Sequence, residues 1–301
     1  MGAYVEFPAE QTLRPPGLFE DTRFFYFVLR ADQARLRALC DRYLNAPSGG
    51  AMNYSPIGIV LLAFSHVVGL RSADADRGVI TYKDIAFWVP VLGGKTKPLC
   101  LFPPYIFVDD ASTMATGREV FGLPKQLGRF QMPLSLNELA GMAQPAFRAE
   151  VVGRLAPGGQ NDWRTLLTLE SSPAAPRDDE IHLLSVLSGL IFPAALRSFA
   201  LPAWLSHLGA VPTVGLKQVR DAATPEAACY QAIVEAPLST VRVYGKPRFL
   251  LDAFRLTLMN VPSHPVAESL GLSGGTQTVP LTVYFEATMR MDAGVVVWSA
   301  R

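Results

Sequence analysis

The chain has 301 residues, half of them hydrophobic, and 27 Lys and Arg against 26 Asp and Glu leave a formal net charge of +1. That length and apolar content suffice to bury a large core, and near-neutrality without a basic run interleaved with aromatics speaks against a nucleic-acid partner. Cys40, Cys100 and Cys229 are scattered without metal-ligand spacing, so a reducing, cytoplasmic setting is expected rather than an oxidising one.

The N-terminal segment MGAYVEFPAEQTLRPPG lacks a basic start leading into an apolar stretch, so no signal peptide is expected. Residues 1–20 read as an extended lead-in to one domain spanning 1–301. Thr22–Leu29 is aromatic and β-branched and predicts a strand. Ala31–Leu44 carries Leu36, Leu39 and Leu44 at near-helical spacing and predicts an amphipathic helix. Ile57–Leu70 is an apolar strand too continuous to have a solvated face. Val79–Leu92 and Leu99–Val108 predict a hairpin about GGKTKP, where Gly93-Gly94 is a tight-turn signal. Gly-Gly-Lys invites a phosphate-loop reading, but the full pattern is missing and the next segment is a strand.

In Gly117–Phe130, GREVFGLPKQLGRF, one lysine, Lys125, is flanked by Phe121, Leu123 and Leu127. Pro124 fixes φ just before it, and the segment reads as a loop entering a short helical turn. Two readings stand for Lys125. One is a surface lysine snorkelling beside a turn. The other is a desolvated amine whose pKa falls by roughly 3–5 units, enough to make it a nucleophile toward carbonyl carbon.

Ala146–Leu155 and Trp163–Leu169 predict a second hairpin about Pro157-Gly158-Gly159, followed by a polar connector, Pro173–Asp179. The apolar segment Ile181–Val211 is interrupted by Pro193, Arg197 and Pro202. It reads as a buried helix pair or a subunit contact, and no membrane span is expected. Thr213–Val219, Ala228–Glu235 and Ser239–Val243 predict strands, and Pro247–Leu258 is ambiguous between helix and strand. Pro265–Gly271 reads as one helical turn. Thr278–Met291 alternates, with Leu281, Val283, Phe285, Ala287 and Met289 on one face.

About ten strands against two or three helices predict an α+β fold of mostly antiparallel sheet, closed or double-layered to hide its edges. His182, His207 and His264 have no carboxylate or cysteine at ligand spacing, so no metal is expected. No Gly-x-Ser-x-Gly elbow occurs. The lysine is the one nucleophile with a context.

GREVFGLPKQLGRF resembles the signature of the acetoacetate decarboxylase family, a Gly-Arg-Glu run followed by an aromatic, Pro-Lys-Lys and a Leu. Gly117, Arg118, Glu119, Pro124, Lys125 and Leu127 match it. The resemblance extends weakly from about Thr22 to about Met291. It implies a cone-like β-barrel with a few peripheral helices and the lysine inside, assembly into a large homo-oligomer, and a Schiff-base lyase acting on a small keto acid without a cofactor. The nucleophile falls on Lys125. The family's second lysine falls on the uncharged Gln126. TRFFYFVLRAD resembles a segment that places a pocket arginine on Arg23, which otherwise is a charge at a strand start. Two pocket glutamates fall on Asp84, a methylene shorter, and at or near Leu62. His66, four residues beyond Leu62 on the same strand face, is a substitute proton carrier or a packed core residue.

Arg118 either reaches a substrate carboxylate or fixes the loop with Glu119. Glu286 either faces solvent beside Tyr284 and Thr282 or enters the pocket, whose walls include Phe121. The resemblance thus implies imine chemistry: decarboxylation, or a related aldol or dehydration reaction. With the polar positions changed, the alternative is a non-catalytic small-molecule-binding or structural member of the fold.

Overall fold

The computed structural model describes residues 3–7, 10–73, 77–156, 161–171 and 211–300. In chain order the elements begin with β1 (Gly17–Arg30), helix α1 (Gln33–Cys40) with a π-helical turn at Asp41–Asn45, and β2 (Ser55–Pro56). Next come β3 (Ile59–Arg71), β4 (Ile80–Leu92), β5 (Leu99–Val108), α2 (Ala111–Phe121), β6 (Lys125–Gln131) and α3 (Leu136–Gly141). They continue with β7 (Phe147–Arg154), β8 (Asp162–Ser171), β9 (Thr213–Arg220), β10 (Ala228–Ala236) and β11 (Leu238–Leu258). The last are α4 (Val266–Leu270), β12 (Gly275–Met291) and β13 (Val295–Ser299). The fold is mostly strand with few helices. The expected apolar segment Ile181–Val211 lies, Val211 apart, outside the described residues, as do Pro173–Asp179 and the Pro157–Gly159 turn. No helix among the described residues is long and apolar enough to cross a membrane.

Thirteen strands among the described residues form one sheet. Its order runs β5-β6-β7-β8-β11-β12-β1-β3-β4, and β4 pairs again with β5, so nine strands follow one another in a closed circuit. Strands β9, β10 and β13 branch off β5, and β2 pairs with β4. The ladders are antiparallel except where β5 meets β6 and β9. Closure removes the edges of the nine-strand circuit and leaves, among the described residues, only the branch strands β13 and β2 paired on one side.

The inside of the circuit is filled by rings. Phe25 and Phe27 of β1, Phe64 of β3, Phe147 of β7 and Phe254 of β11 meet at centroid distances of 5.0 to 6.0 Å, mostly edge-on. Phe147 touches residues of strands four places away in the circuit, so this cluster is its interior. Strand alternation sends the intervening residues Phe24, Tyr26 and Val28 to the other face, where Val28 packs with Leu61, Leu281 and Val283. Strand β3 is therefore buried on both sides, as an apolar run interrupted only by Ser65 and His66 before Arg71 requires.

Two segments differ from their sequence-based reading. Gly117–Phe130 is not a loop entering a helix but a helix leaving into a strand. Asp110 caps α2 by accepting from Thr113 N at 2.7 Å. Gly122 ends the helix in the left-handed conformation, φ 70°, and a Cβ there would stand 2.4 Å from Lys217 N, so only glycine fits. Pro124 then stops helix propagation, and parallel pairing with β5 takes the chain on as β6. The second segment, Pro247–Leu258, belongs to the bent strand β11, which joins it to Ser239–Val243 through register shifts.

The Gly93-Gly94 turn closes the β4–β5 hairpin and cradles a carboxylate of its own chain. Glu235, fully buried, accepts from Lys95 N at 2.8 Å, Thr96 N at 2.7 Å, Thr96 Oγ1 at 2.5 Å and Tyr54 OH at 2.7 Å.

Candidate active site

Lys125 is the first residue of β6 and pairs with Ile106 of β5, while Gln126 pairs with Phe107. Phe107 belongs to the packed interior, so alternation turns Gln126 inward and Lys125 outward, beneath α2. The lysine therefore lies not inside the strand circuit, which the phenylalanines fill, but on its opposite face. Gly117 makes room for it: a Cβ there would stand 2.4 Å from Lys125 Cδ and 2.8 Å from Cε.

The amine lines a cavity of about 110 Å³, the space of several water molecules. Phe121 and Leu123 wall it on the α2 side, Ser65, Val67 and Leu70 come from β3, and Tyr82, Asp84 and Trp88 come from β4. Leu13, Arg14 and Pro15 of the lead-in close another side, with Leu13 N donating to Thr116 Oγ1 at 2.9 Å. Lys125 is 8% exposed. Among the described residues its Nζ makes no hydrogen bond; it stands 5.5 Å from the centroid of the Tyr82 ring.

Burial pushes the Lys125 pKa below the ordinary lysine value, against the pull of Asp84 and, more weakly, Asp110. The same burial raises Asp84 above the usual carboxylate range, although Lys125 and the Ser65 and Tyr82 hydroxyls favour its ionised form. Tyr82 is raised well above an ordinary phenol by burial and by Asp84. The pair is thus an amine biased toward its neutral form beside a carboxyl biased toward holding a proton.

The other sequence candidates are elsewhere. Arg23 faces the opposite way from the cavity, cross-strand from His66 and Glu286, with Nη1 3.2 Å from His66 Nδ1. Burial, Arg23 and Lys83 lower the His66 pKa. Glu286 takes a hydrogen bond from Tyr284 OH on that same face. Leu62 is fully buried in the ring interior. Arg118 is exposed and donates to the Lys125 carbonyl at 3.4 Å. Gln126 Oε1 meets His264 Nε2 at 2.9 Å. None of these six lines the cavity.

The positions that do are Thr22, next to Arg23, and Ser65, three residues from Leu62. The signal for Thr22 was available in alternation: a strand whose Phe25 and Phe27 point inward must turn Thr22 and Phe24 the other way. Among the described residues no three His, Cys, Asp or Glu side chains gather as a metal set.

Residues 6–155 match the family described as Acetoacetate decarboxylase (ADC). No curated protein matches the chain by sequence. Among solved structures it is similar to the acetoacetate decarboxylase of Legionella pneumophila subsp. pneumophila str. Philadelphia 1, at 17% identity and a TM-score of 0.63, covering 99% of this chain and 93% of that one. It is also similar to MppR, an enduracididine biosynthesis enzyme complexed with the condensation product of pyruvate and imidazole 4-carboxaldehyde. There the identity is 16% and the TM-score 0.58, over 96% of this chain and 92% of that one. An acetoacetate decarboxylase-like enzyme from Sphingomonas wittichii RW1 gives 16% and 0.56, over 97% and 95%. At these identities the likeness to solved structures is one of fold.

Proposed function

For a chain that belongs to the acetoacetate decarboxylase family as a diverged member, we propose a Schiff-base lyase acting on a small keto acid through Lys125, with Asp84 as proton donor and acceptor. The strand circuit would be this family's cone-like barrel. The observation that carries the reading is the buried Lys125 amine, which has no hydrogen-bond partner among the described residues, lines a cavity and has its pKa lowered by desolvation. Neutral Nζ attacks the keto carbon, and loss of water gives an iminium. The bond from the α-carbon to the carboxylate breaks, CO2 leaves, and the electron pair stays behind as an enamine. Protonated Asp84 returns a proton to that carbon, and water releases the ketone and frees the lysine. Abstraction of an α-proton by ionised Asp84 would open aldol-type and dehydration chemistry on the same iminium.

Borohydride reduction in the presence of keto acids and ketones tests this. A mass increase confined to Lys125, absent from Lys125→Met, is expected. No adduct with any carbonyl compound would leave a non-catalytic binding protein. Acylation of Lys125 by an amine-selective reagent is expected to titrate below pH 10.5, the ordinary lysine value.

A further inference from the structure

The cavity walls carry information beyond the lysine. Phe24 and Tyr26 of β1 and Trp88 of β4 face it, and Met289 and Met291 of β12 enclose it from the side. Phe24 and Tyr26 stack on Phe285, with centroids 4.8 and 5.6 Å away and planes within about 20°, so this wall is a fixed aromatic surface. Among the described residues Arg14 is the one guanidinium on the lining. It is 58% exposed, and its Nε is 2.6 Å from Glu6 Oε1. Arg23 and Arg118 project elsewhere. Among the described residues a substrate carboxylate entering this space would meet Arg14, held to Glu6 at the exposed rim, and the iminium at Lys125, and it leaves as uncharged CO2. The faces of Phe24 and Tyr26 and the side chains of Met289 and Met291 give a second charged group no replacement for the hydration it would lose against them.

Resting on the Lys125 reading above, we propose that the substrate is a β-keto acid whose acyl arm is apolar and larger than methyl, an aromatic ring or a longer alkyl chain. The arm lies against Phe24, Tyr26 and Trp88 with its carbonyl carbon at Nζ. Selectivity then comes from the arm, and each methylene buried there raises affinity about fourfold.

The test uses the full chain and three ketones, 2-pentanone and 4-phenyl-2-butanone, which such acids would yield, and acetone, the product of the methyl arm, as the reference, each trapped with borohydride and read by mass at Lys125. The half-saturating concentration is expected to fall about fifteenfold from acetone to 2-pentanone, which has two more methylenes, and to fall again for the aryl ketone. Equal values, or tighter capture of acetone, would overturn the proposal. Calorimetry with 4-phenyl-2-butanol, which cannot form an imine, reads the wall without the nucleophile. Binding at least tenfold tighter than that of 2-propanol supports the apolar-arm site even if no ketone is trapped, a result that would remove only the lyase reading. Equal binding of the two alcohols would overturn the proposal even if Lys125 proves reactive.

Discussion

Glu235 and Lys125 are both withdrawn from water, but only Glu235 is surrounded by partners. Its two oxygens take four hydrogen bonds from one loop and one tyrosine, between 2.5 and 2.8 Å. Lys125 has an aromatic ring at 5.5 Å and a carboxyl whose own ionisation burial resists. A buried charge whose bonds are satisfied holds structure together, whereas one left unsatisfied costs stability and keeps its reactivity. The difference separates scaffold from site without reference to either residue's place in the sequence.

The comparison can be broken most directly at the lysine. Lys125→Met is expected to lower turnover on the order of a thousandfold or more while leaving the fold no less stable at pH 7. Because the folded Lys125 pKa lies below its unfolded value, its contribution to stability is complete above pH 10.5 and is lost as pH falls through the folded value. The wild type should therefore gain on Lys125→Met in denaturant titrations as pH rises from 7 toward 10. A Met variant markedly less stable at pH 7 would make Lys125 a structural residue.

Glu235→Gln should behave oppositely. The amide replaces one of the two acceptor oxygens by an NH2 that faces the N–H of either Lys95 or Thr96, donor against donor, at a cost of about 2 kcal/mol or more, read as a lower denaturation midpoint. Imine formation per folded molecule should be unchanged. A selective loss of trapping would mean that the loop reaches the cavity.

Gly117→Ala sharpens the contrast at the site itself. Its methyl would press on the Lys125 stem, and forcing such a contact costs about 1–3 kcal/mol. Displacing the stem should also slow borohydride trapping at saturating ketone, and unchanged trapping would show that the amine's position is not critical. The smallest effect on the amine is expected from Gln126→Lys. Its side chain joins His264 on the inner face, so the variant both loses that hydrogen bond and places an ammonium there, at a cost to stability of about 1–3 kcal/mol. The Lys125 acylation midpoint should stay nearly where it is. A large movement would mean that charge at residue 126, rather than burial, governs the amine.

Much of the scaffold was legible. The alternation of Thr278–Met291, the apolar run of Ile57–Leu70 and the turn at Gly93-Gly94 predict strands at the places of β12, β3 and the β4–β5 hairpin. The tract around Lys125 stands out because proline, glycines and apolar residues surround its one lysine. The cavity's polar rim was much less legible. Reading Arg23 rather than Thr22, and Leu62 rather than Ser65, shifts the choice by an odd number of residues, and an odd shift in a strand reverses the face. Glu286 was read on a polar face, but in a closed circuit both faces are covered, and Thr282 and Tyr284 beside it are buried. Hydrophobicity alone does not say which side of a doubly covered strand holds the site.

The pairing of β1 with β12 also bears on how the molecule is made. Thr22 lies opposite Ala287, and Val28 opposite Leu281, so a strand near the start of the chain waits for one near its end. During synthesis at roughly 5–20 residues per second, the nascent chain keeps one side of β1 unpaired for on the order of ten seconds or more. That side is an open template for another strand, and such distant pairings also slow folding. Met289 and Met291 arrive with that ladder, so the walls of the cavity are complete only once β12 has been made and has paired with β1.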